Sequence, residues 1–252
     1  MAGSLLFSPS NRVLNILMND RPEQEPDVAK EKNASDPTLA EALNRHELSI
    51  PPAQIQRLED YCQLLWAANQ RLNLTRHLDY ETFVIRDVID SLALAEQLSP
   101  DLSVLDVGTG GGVPGIPLAI LRPDLQISLC DSSGKKCEAV AEIVQQLALS
   151  LPVYQDRVEN VVQIAKFDAI VARAVGPLWK ILKWMEPHWN EFGCLVLIKG
   201  PKWTEERLEA RHKGFLKPLE IRRLSSYTTP GHHGENVILG IMTKVEANSV
   251  KR

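Results

Sequence analysis

The chain has 252 residues, with 28 Lys and Arg against 32 Asp and Glu, 44% hydrophobic and 24% charged; this length suits one large domain or two small ones with a substantial core. No apolar run reaches the roughly 18 residues of a membrane span, and residues 1–18 lack the basic head and compact apolar block of a secretory leader. The cysteines, Cys62, Cys130, Cys137 and Cys194, form no C-x-x-C pair and have few histidines nearby, which speaks against zinc and disulfides and for a reducing, cytoplasmic setting.

Residues 1–50 are expected to be a flexible or partly helical extension. A short apolar segment at 13–18 is a candidate docking helix, and 20–37 is charged, Pro-interrupted and poor in large apolar residues, as a tail or linker is. Order is expected from Pro51. Ile55, Leu58, Cys62, Leu65, Trp66 and Asn69 recur at helical spacing, which predicts an amphipathic helix over 53–70. Phe83, Val84, Val88, Leu92, Leu94 and Leu98 predict a second over about 79–98, so 51–100 reads as a helical segment. Trp66, Trp179, Trp184 and Trp189 fit helix cores.

From residue 101 to 246 the texture changes to short apolar runs alternating with helical stretches. LSVLDV (102–107), QISLCD (126–131), PVYQD (152–156), DAIVAR (168–173) and CLVLIK (194–199) read as buried parallel strands with helices between them. LEIRRLSS and NVILGIMTK follow, joined by TTPGHHGE, a link too short for a helical crossover and therefore antiparallel. The fold class is α/β, with about seven mostly parallel strands and the last strand antiparallel.

The stretch from Val104 to Pro117 contains G-x-G-x-x-G at Gly110, Gly112 and Gly115, which alone is weak evidence for a dinucleotide site. The D-x-G-x-G-x-G frame at Asp106, Gly108, Gly110 and Gly112 fits better. Glycines let the backbone turn sharply and approach a ligand closely. A buried acid at the strand's end suits a ligand with a positive end, such as the methionine part of S-adenosylmethionine, and would repel a pyrophosphate. Asp131, 23 residues after Gly108 at the end of the second strand, is placed to accept ribose hydroxyls; a helix-capping role is the plainer alternative. Val158 and Glu159 follow the third strand, Arg173 ends the fourth and Lys199 the fifth. All face the crevice where open α/β sheets bind ligands. For Lys199, pairing with a rim carboxylate is an equal alternative.

The residues Asn73-Leu74-Thr75, Arg86 with Asp90-Ser91-Leu92, Asp106-Val-Gly-Thr-Gly-Gly-Gly-Val-Pro-Gly-Ile-Pro-Leu118, Ala172-Arg173-Ala174 and Lys199-Gly200 make the chain resemble, from about 53 to 243, the bacterial small-subunit rRNA guanine-N7 methyltransferase (glucose-inhibited division protein B) family. The resemblance implies a class I Rossmann-like methyltransferase fold and S-adenosyl-L-methionine as donor. It implies cofactor contacts at Gly108, Val113, Val158, Glu159 and Arg173. Two departures stand out: the family usually has His where this chain has Asp87, and favours Gly-Glu-Arg where this chain has Gly234-Glu235-Asn236.

The function so implied is methyl transfer to N7 of a guanine in 16S rRNA, with 16S rRNA or the small ribosomal subunit as partner and no membrane or metal involved. Guanine N7 has an in-plane lone pair and no proton, so in-line attack on the methyl needs no general base; positioning and electrostatics supply the rate. Asn73, Arg86, Asp90, Arg173 and Lys199 are therefore candidates for positioning substrate, and no acid or base is assigned. Arg86 and Asp90 are also spaced as an intrahelical ion pair.

Net charge is unevenly spread: residues 1–50 carry five basic and eight acidic residues, whereas Lys199 to Arg223 carry eight basic and four acidic. RNA contact would come from Arg71–Arg86, from 199–223 and from the turn 228–236, although a solvated helix face has the same charge pattern. A splayed guanine is the expected target, because duplex RNA hides N7. Trp203 is the best-placed stacking residue, with packing as the commoner role of a tryptophan. Methylation of another acceptor, a nicotinamide-dependent oxidoreductase and a non-catalytic RNA-binding module are the alternatives. The second is disfavoured by Asp106 and the lack of a Tyr-x-x-x-Lys or histidine relay.

Overall fold

The computed structural model describes residues 37–231 and 233–249. The segment 13–18, and all but the last residue of 20–37, lie outside them. Helix α1 (Leu39–Arg45) precedes the Pro51 start expected from sequence. A capping box opens it, with Thr38 and Glu41 bonding each other's backbone amides, and Leu39, Ala42 and Leu43 are buried. Helix α2 (Pro52–Asn69) buries Leu58, Tyr61, Cys62, Leu65 and Ala68 along one stripe. Asn69 Oδ1 then accepts the amides of Leu74 and Thr75 at 2.7 and 2.9 Å, folding the following chain into a turn.

The single helix expected over 79–98 is three pieces: α3 (Tyr80–Phe83), a π-helical turn (Val84–Val88) and α4 (Ile89–Ala95). Asp87 through Ser91 are five consecutive buried residues, and the wider turn before them re-aims the side chains that follow.

Seven strands form one sheet: β1 (Ser103–Val107), β2 (Gln126–Asp131), β3 (Val153–Gln155), β4 (Phe167–Arg173), β5 (Phe192–Lys199), β6 (Leu219–Thr228) and β7 (Glu235–Thr243). Their order is β3-β2-β1-β4-β5-β7-β6. β7 runs antiparallel to both neighbours and the other contacts are parallel. Helices α5 (Gly115–Leu121), α6 (Gly134–Gln146), α7 (Val158–Ile164), α8 (Leu178–Met185) and α9 (Trp203–His212) connect the strands, and α10 (Lys244–Ser249) follows β7.

Side chains alternate between two cores, as strand geometry requires. Val104, Leu129, Val171, Val196 and Ile238 pack on the side of α1, α2, α4, α5 and α6. Leu105, Ile170, Leu195, Leu197 and Leu239 pack on the side of α7, α8 and α9. Trp66 packs on the first core; Trp179, Trp184, Trp189 and Trp203 pack on the second, so Trp203 is a half-buried packing residue. Strand order reverses between β1 and β4, which places a crevice at their carboxyl ends.

Candidate functional site

The chain leaves β1 through a turn in which Gly108, Gly110 and Gly112 have φ of +69°, +58° and +102°, conformations costly for side chains with a Cβ. Two carboxylates hold this turn by its backbone. Asp106 Oδ2 accepts from Thr109 Oγ1 at 2.6 Å and from the Gly115 amide at 2.9 Å. Asp131 Oδ2 accepts the Gly110 amide at 3.0 Å while its Oδ1 accepts the Ser133 amide at 2.9 Å. The amides of Gly108 and Thr109 both reach the carbonyl of Cys130. Gly115 is needed for contact: a Cβ there would stand 2.2 Å from Leu129 and 2.8 Å from Asp106 Oδ2. Gly110 is different, because a Cβ there would meet only the Gly108 carbonyl, at 3.9 Å. The outer surface of the turn is therefore bare.

Asp106 is fully buried. Burial pushes its carboxyl up to about 6 against the hydrogen bonds from Thr109 and Gly115, and its Oδ1 is enclosed without a hydrogen-bond partner. Val113 is buried in the turn and Val158 at the start of α7, with Glu159 half-buried beside it. Val158, Val107 and Val175 share one small apolar cavity.

The N-terminal helical segment reaches the same turn. Tyr61 Oη donates to the Gly111 carbonyl at 3.0 Å. A Cβ on Gly111 would stand 3.4 Å from the Leu74 Cβ, so the Asn73-Leu74-Thr75 turn lies against the glycine turn, with the Asn73 side chain exposed at its rim.

Arg173 is placed otherwise than its position at a strand end suggests. Its guanidinium is held between Asp87 Oδ1 at 2.7 Å and Asp90 Oδ2 at 3.1 Å, and it donates to the Arg86 carbonyl. Asp87 Oδ2 also faces His77 Nε2 at 3.0 Å, and Tyr227 Oη donates to Asp90 Oδ1 at 2.6 Å. Burial acts to raise Asp87, but His77 and Arg173 outweigh it and hold the carboxyl below the usual range. At Asp90 burial prevails over Arg173 and Tyr227, and its carboxyl is raised. Asp90 thus pairs with Arg173 and not with Arg86, whose side chain is exposed on the π-helical turn. Lys199 is also committed: buried at the end of β5, it bonds the Gly176 carbonyl at 2.6 Å and Glu206 at 2.8 Å, tying down the loop after β4.

Asp106, Gly108, Gly110, Gly112, Val113 and Asp131 are therefore brought together at one turn. Asn73 sits beside it, while half-buried Arg173 and buried Asp90 and Lys199 act as ties. Tyr61, His77 and Tyr227 are parts of the site's framework that sequence reasoning missed. Asn236, at a departure from the family pattern, donates to Thr229 Oγ1 at 2.9 Å and links the two ends of the turn after β6.

The strand order with β7 reversed, and the glycine turn at the end of β1, define a class I Rossmann-like methyltransferase fold. A family model described as GidB, rRNA small subunit methyltransferase G, matches residues 54–233, and the chain belongs to that family. The ribosomal RNA small subunit methyltransferase G of Rhodopirellula baltica is 48% identical over 186 residues, covering 74% of this chain and 80% of that protein. That of Legionella pneumophila (strain Corby) is 37% identical over 179 residues, covering 71% and 82%. Among solved structures, a mutant of MtNAS superposes with a TM-score of 0.50 at 12% identity, covering 80% of this chain and 76% of that one, a likeness of fold alone.

Two tests follow from this geometry. A carboxyl raised in the folded chain binds its proton more tightly there than in the unfolded chain. Asp106 therefore adds stability as pH falls through about 6 toward its ordinary value of 3.8, and adds none well above 6. Urea unfolding should show wild type gaining about 1 kcal/mol relative to Asp106→Asn between pH 7 and pH 5; parallel profiles would remove Asp106 as the source. Asp87→His, the residue the family usually carries, sets an imidazole against Arg173 and His77. It should cost about 3–5 kcal/mol, as loss of one partner of a buried ion pair does. A cost under about 1 kcal/mol would show that Arg173 does not depend on Asp87.

Proposed function

We propose that the chain transfers a methyl group from S-adenosyl-L-methionine to N7 of a guanine in 16S rRNA. Membership of the rRNA small subunit methyltransferase G family over 54–233 carries the reading, and the glycine turn supports it. The donor's fit can be examined atom by atom. The enclosed, unpartnered Asp106 Oδ1 and the nearby Asp131 carboxylate set a negative field beneath the turn, suited to a cationic ligand. Each Asp131 oxygen accepts one amide and retains a lone pair for a ribose hydroxyl. The bare face at Gly110 admits close approach, and Val113 and Val158 offer apolar walls. Gly108, Gly112 and Glu159 complete the proposed donor site.

When bound, S-adenosylmethionine supplies an electrophilic methyl on a sulfonium. Guanine N7 brings a lone pair and no proton, so no residue has to remove one. What the chain supplies is position and exclusion of water. Asn73 and Arg86, both exposed on elements beside the crevice, are proposed to meet the RNA directly. Asp90, Arg173 and Lys199 are proposed to act through the elements they hold. No helix among the described residues is long and apolar enough to cross a membrane, and no group of three or more His, Cys, Asp or Glu able to hold a metal occurs among them.

The test is methyl transfer from labelled S-adenosylmethionine to small ribosomal subunits lacking guanine-N7 methylation, followed by nucleoside analysis. Label is expected in 7-methylguanosine at one site; label in any other nucleoside would overturn the acceptor atom. Gly108→Arg fills the close approach proposed for the donor and should abolish donor binding in calorimetry; because a Cβ there already stands 2.8 Å from Val175, far-UV circular dichroism and urea unfolding on the same sample separate loss of the donor site from loss of the fold. Unchanged affinity would show that the donor lies elsewhere.

A further inference from the structure

A second cationic feature lies away from the glycine turn. Between α9 and the start of β6 is a groove of about 370 Å³ lined by Arg207, Arg211, Lys217 and Lys244. Leu216, Leu219 and Ile221 lie among these cations. Every charged lining residue is positive, and among the described residues none of the four forms an ion pair. Arg207 and Arg211 stand one turn apart on α9, where like charges repel. Of the acids of α9, Glu206 is taken by Lys199 and Glu209 by Lys213, and Glu205 does not line the groove. Lys244 Nζ donates to the Lys217 carbonyl at 2.5 Å, which brings the end of β7 against the loop before β6. Arg207 Nε is enclosed with no hydrogen-bond partner. The groove is thus built to receive negative charge.

Its position narrows the occupant. Leu219 opens β6, and Tyr227, eight residues on, bonds Asp90 beside Arg173. At ~3.3 Å per residue the groove and that contact are about 25 Å apart along one strand. β6 is the edge of the sheet and carries Arg222 and Arg223 between the two points, each paired with an acid, Glu220 and Glu235. A small anion would fill only the groove. A polyanion laid along β6 would reach from the groove toward the crevice.

We propose that this groove docks the phosphodiester backbone of the RNA, several nucleotides from the base that is methylated. The proposal rests on the reading of the chain as an rRNA methyltransferase, and adds a contact remote from the site of transfer.

The test uses the full chain and the variant Arg211→Gln/Lys217→Gln, which alters two exposed side chains outside the glycine turn and the Arg173 contacts. Binding of protein-free 16S rRNA is measured across a salt series. Each lost phosphate contact should reduce the slope of log K against log salt by about 0.7–0.9, so the double variant should lose roughly 1.4–1.8. Affinity at low salt should fall about tenfold or more, KM for small subunits should rise with kcat unchanged, and calorimetry should find the affinity for S-adenosylmethionine unaltered. An unchanged slope and affinity would overturn the proposal. So would weaker binding to intact subunits with unchanged binding to protein-free rRNA, which would assign the groove to a ribosomal protein. Failure of the wild-type chain to methylate any subunit would count against the proposed acceptor, and the salt slope would still decide the groove.

Discussion

The arrangement of the site depends on one guanidinium. Arg173 ends β4, next to the point where strand order reverses, and two carboxylates from the helical segment converge on it. Neither Asp87 nor Asp90 is sufficiently exposed to be solvated by water, and a buried carboxylate left without a partner costs several kcal/mol. The π-helical turn and α4 are therefore fixed over the end of β4. Tyr227 extends the restraint to the end of β6 through Asp90, and His77 extends it to the loop after α2 through Asp87. Four parts of the chain share one polar cluster.

The turn itself is held by local means. Asp106 reaches Gly115 nine residues on, and Asp131 reaches back 21 residues to Gly110. This is why so much of it was legible in the sequence. A strand-terminal acid followed by glycines has few uses, and the apolar runs at 126–131 and 168–173 fall on β2 and β4 almost residue for residue. The reversed final strand was legible too, since the link to it is too short for a crossover. The plainer capping reading of Asp131 does not hold, because α6 starts from Ser133 with no side-chain cap. Asp131 takes the Ser133 amide as well as the Gly110 amide.

What was not legible has physical reasons. Helix α1 had a signal, the spacing Thr38-x-x-Glu41 of a capping box, hidden in a charged and proline-bearing stretch. The π-helical turn had none, because over so short a stretch hydrophobic spacing does not separate a π turn from an α turn. A strand end at the crevice marks Arg173 as near the site, but its partners Asp87 and Asp90 are 86 and 83 residues away, and no pattern along the chain marks them. For Lys199, the carboxylate-pairing alternative is the one that Glu206 supplies.

This division bears on how the chain accommodates its departures from the family pattern. A change in the glycine turn meets close backbone and side-chain neighbours, as at Gly115, and has little room to be absorbed. Asp87 lies in the long-range cluster, where charges are shared among several side chains. A carboxylate in place of the usual histidine adds a negative charge next to Asp90, which by itself would be unfavourable. Here it is met from two sides, by Arg173 and by His77, whose Nε2 faces the oxygen that Arg173 leaves free. A histidine and an acid are thus both present at this junction, the imidazole contributed by the loop after α2. Asp87 is therefore part of a cluster that ties the helical segment to β4.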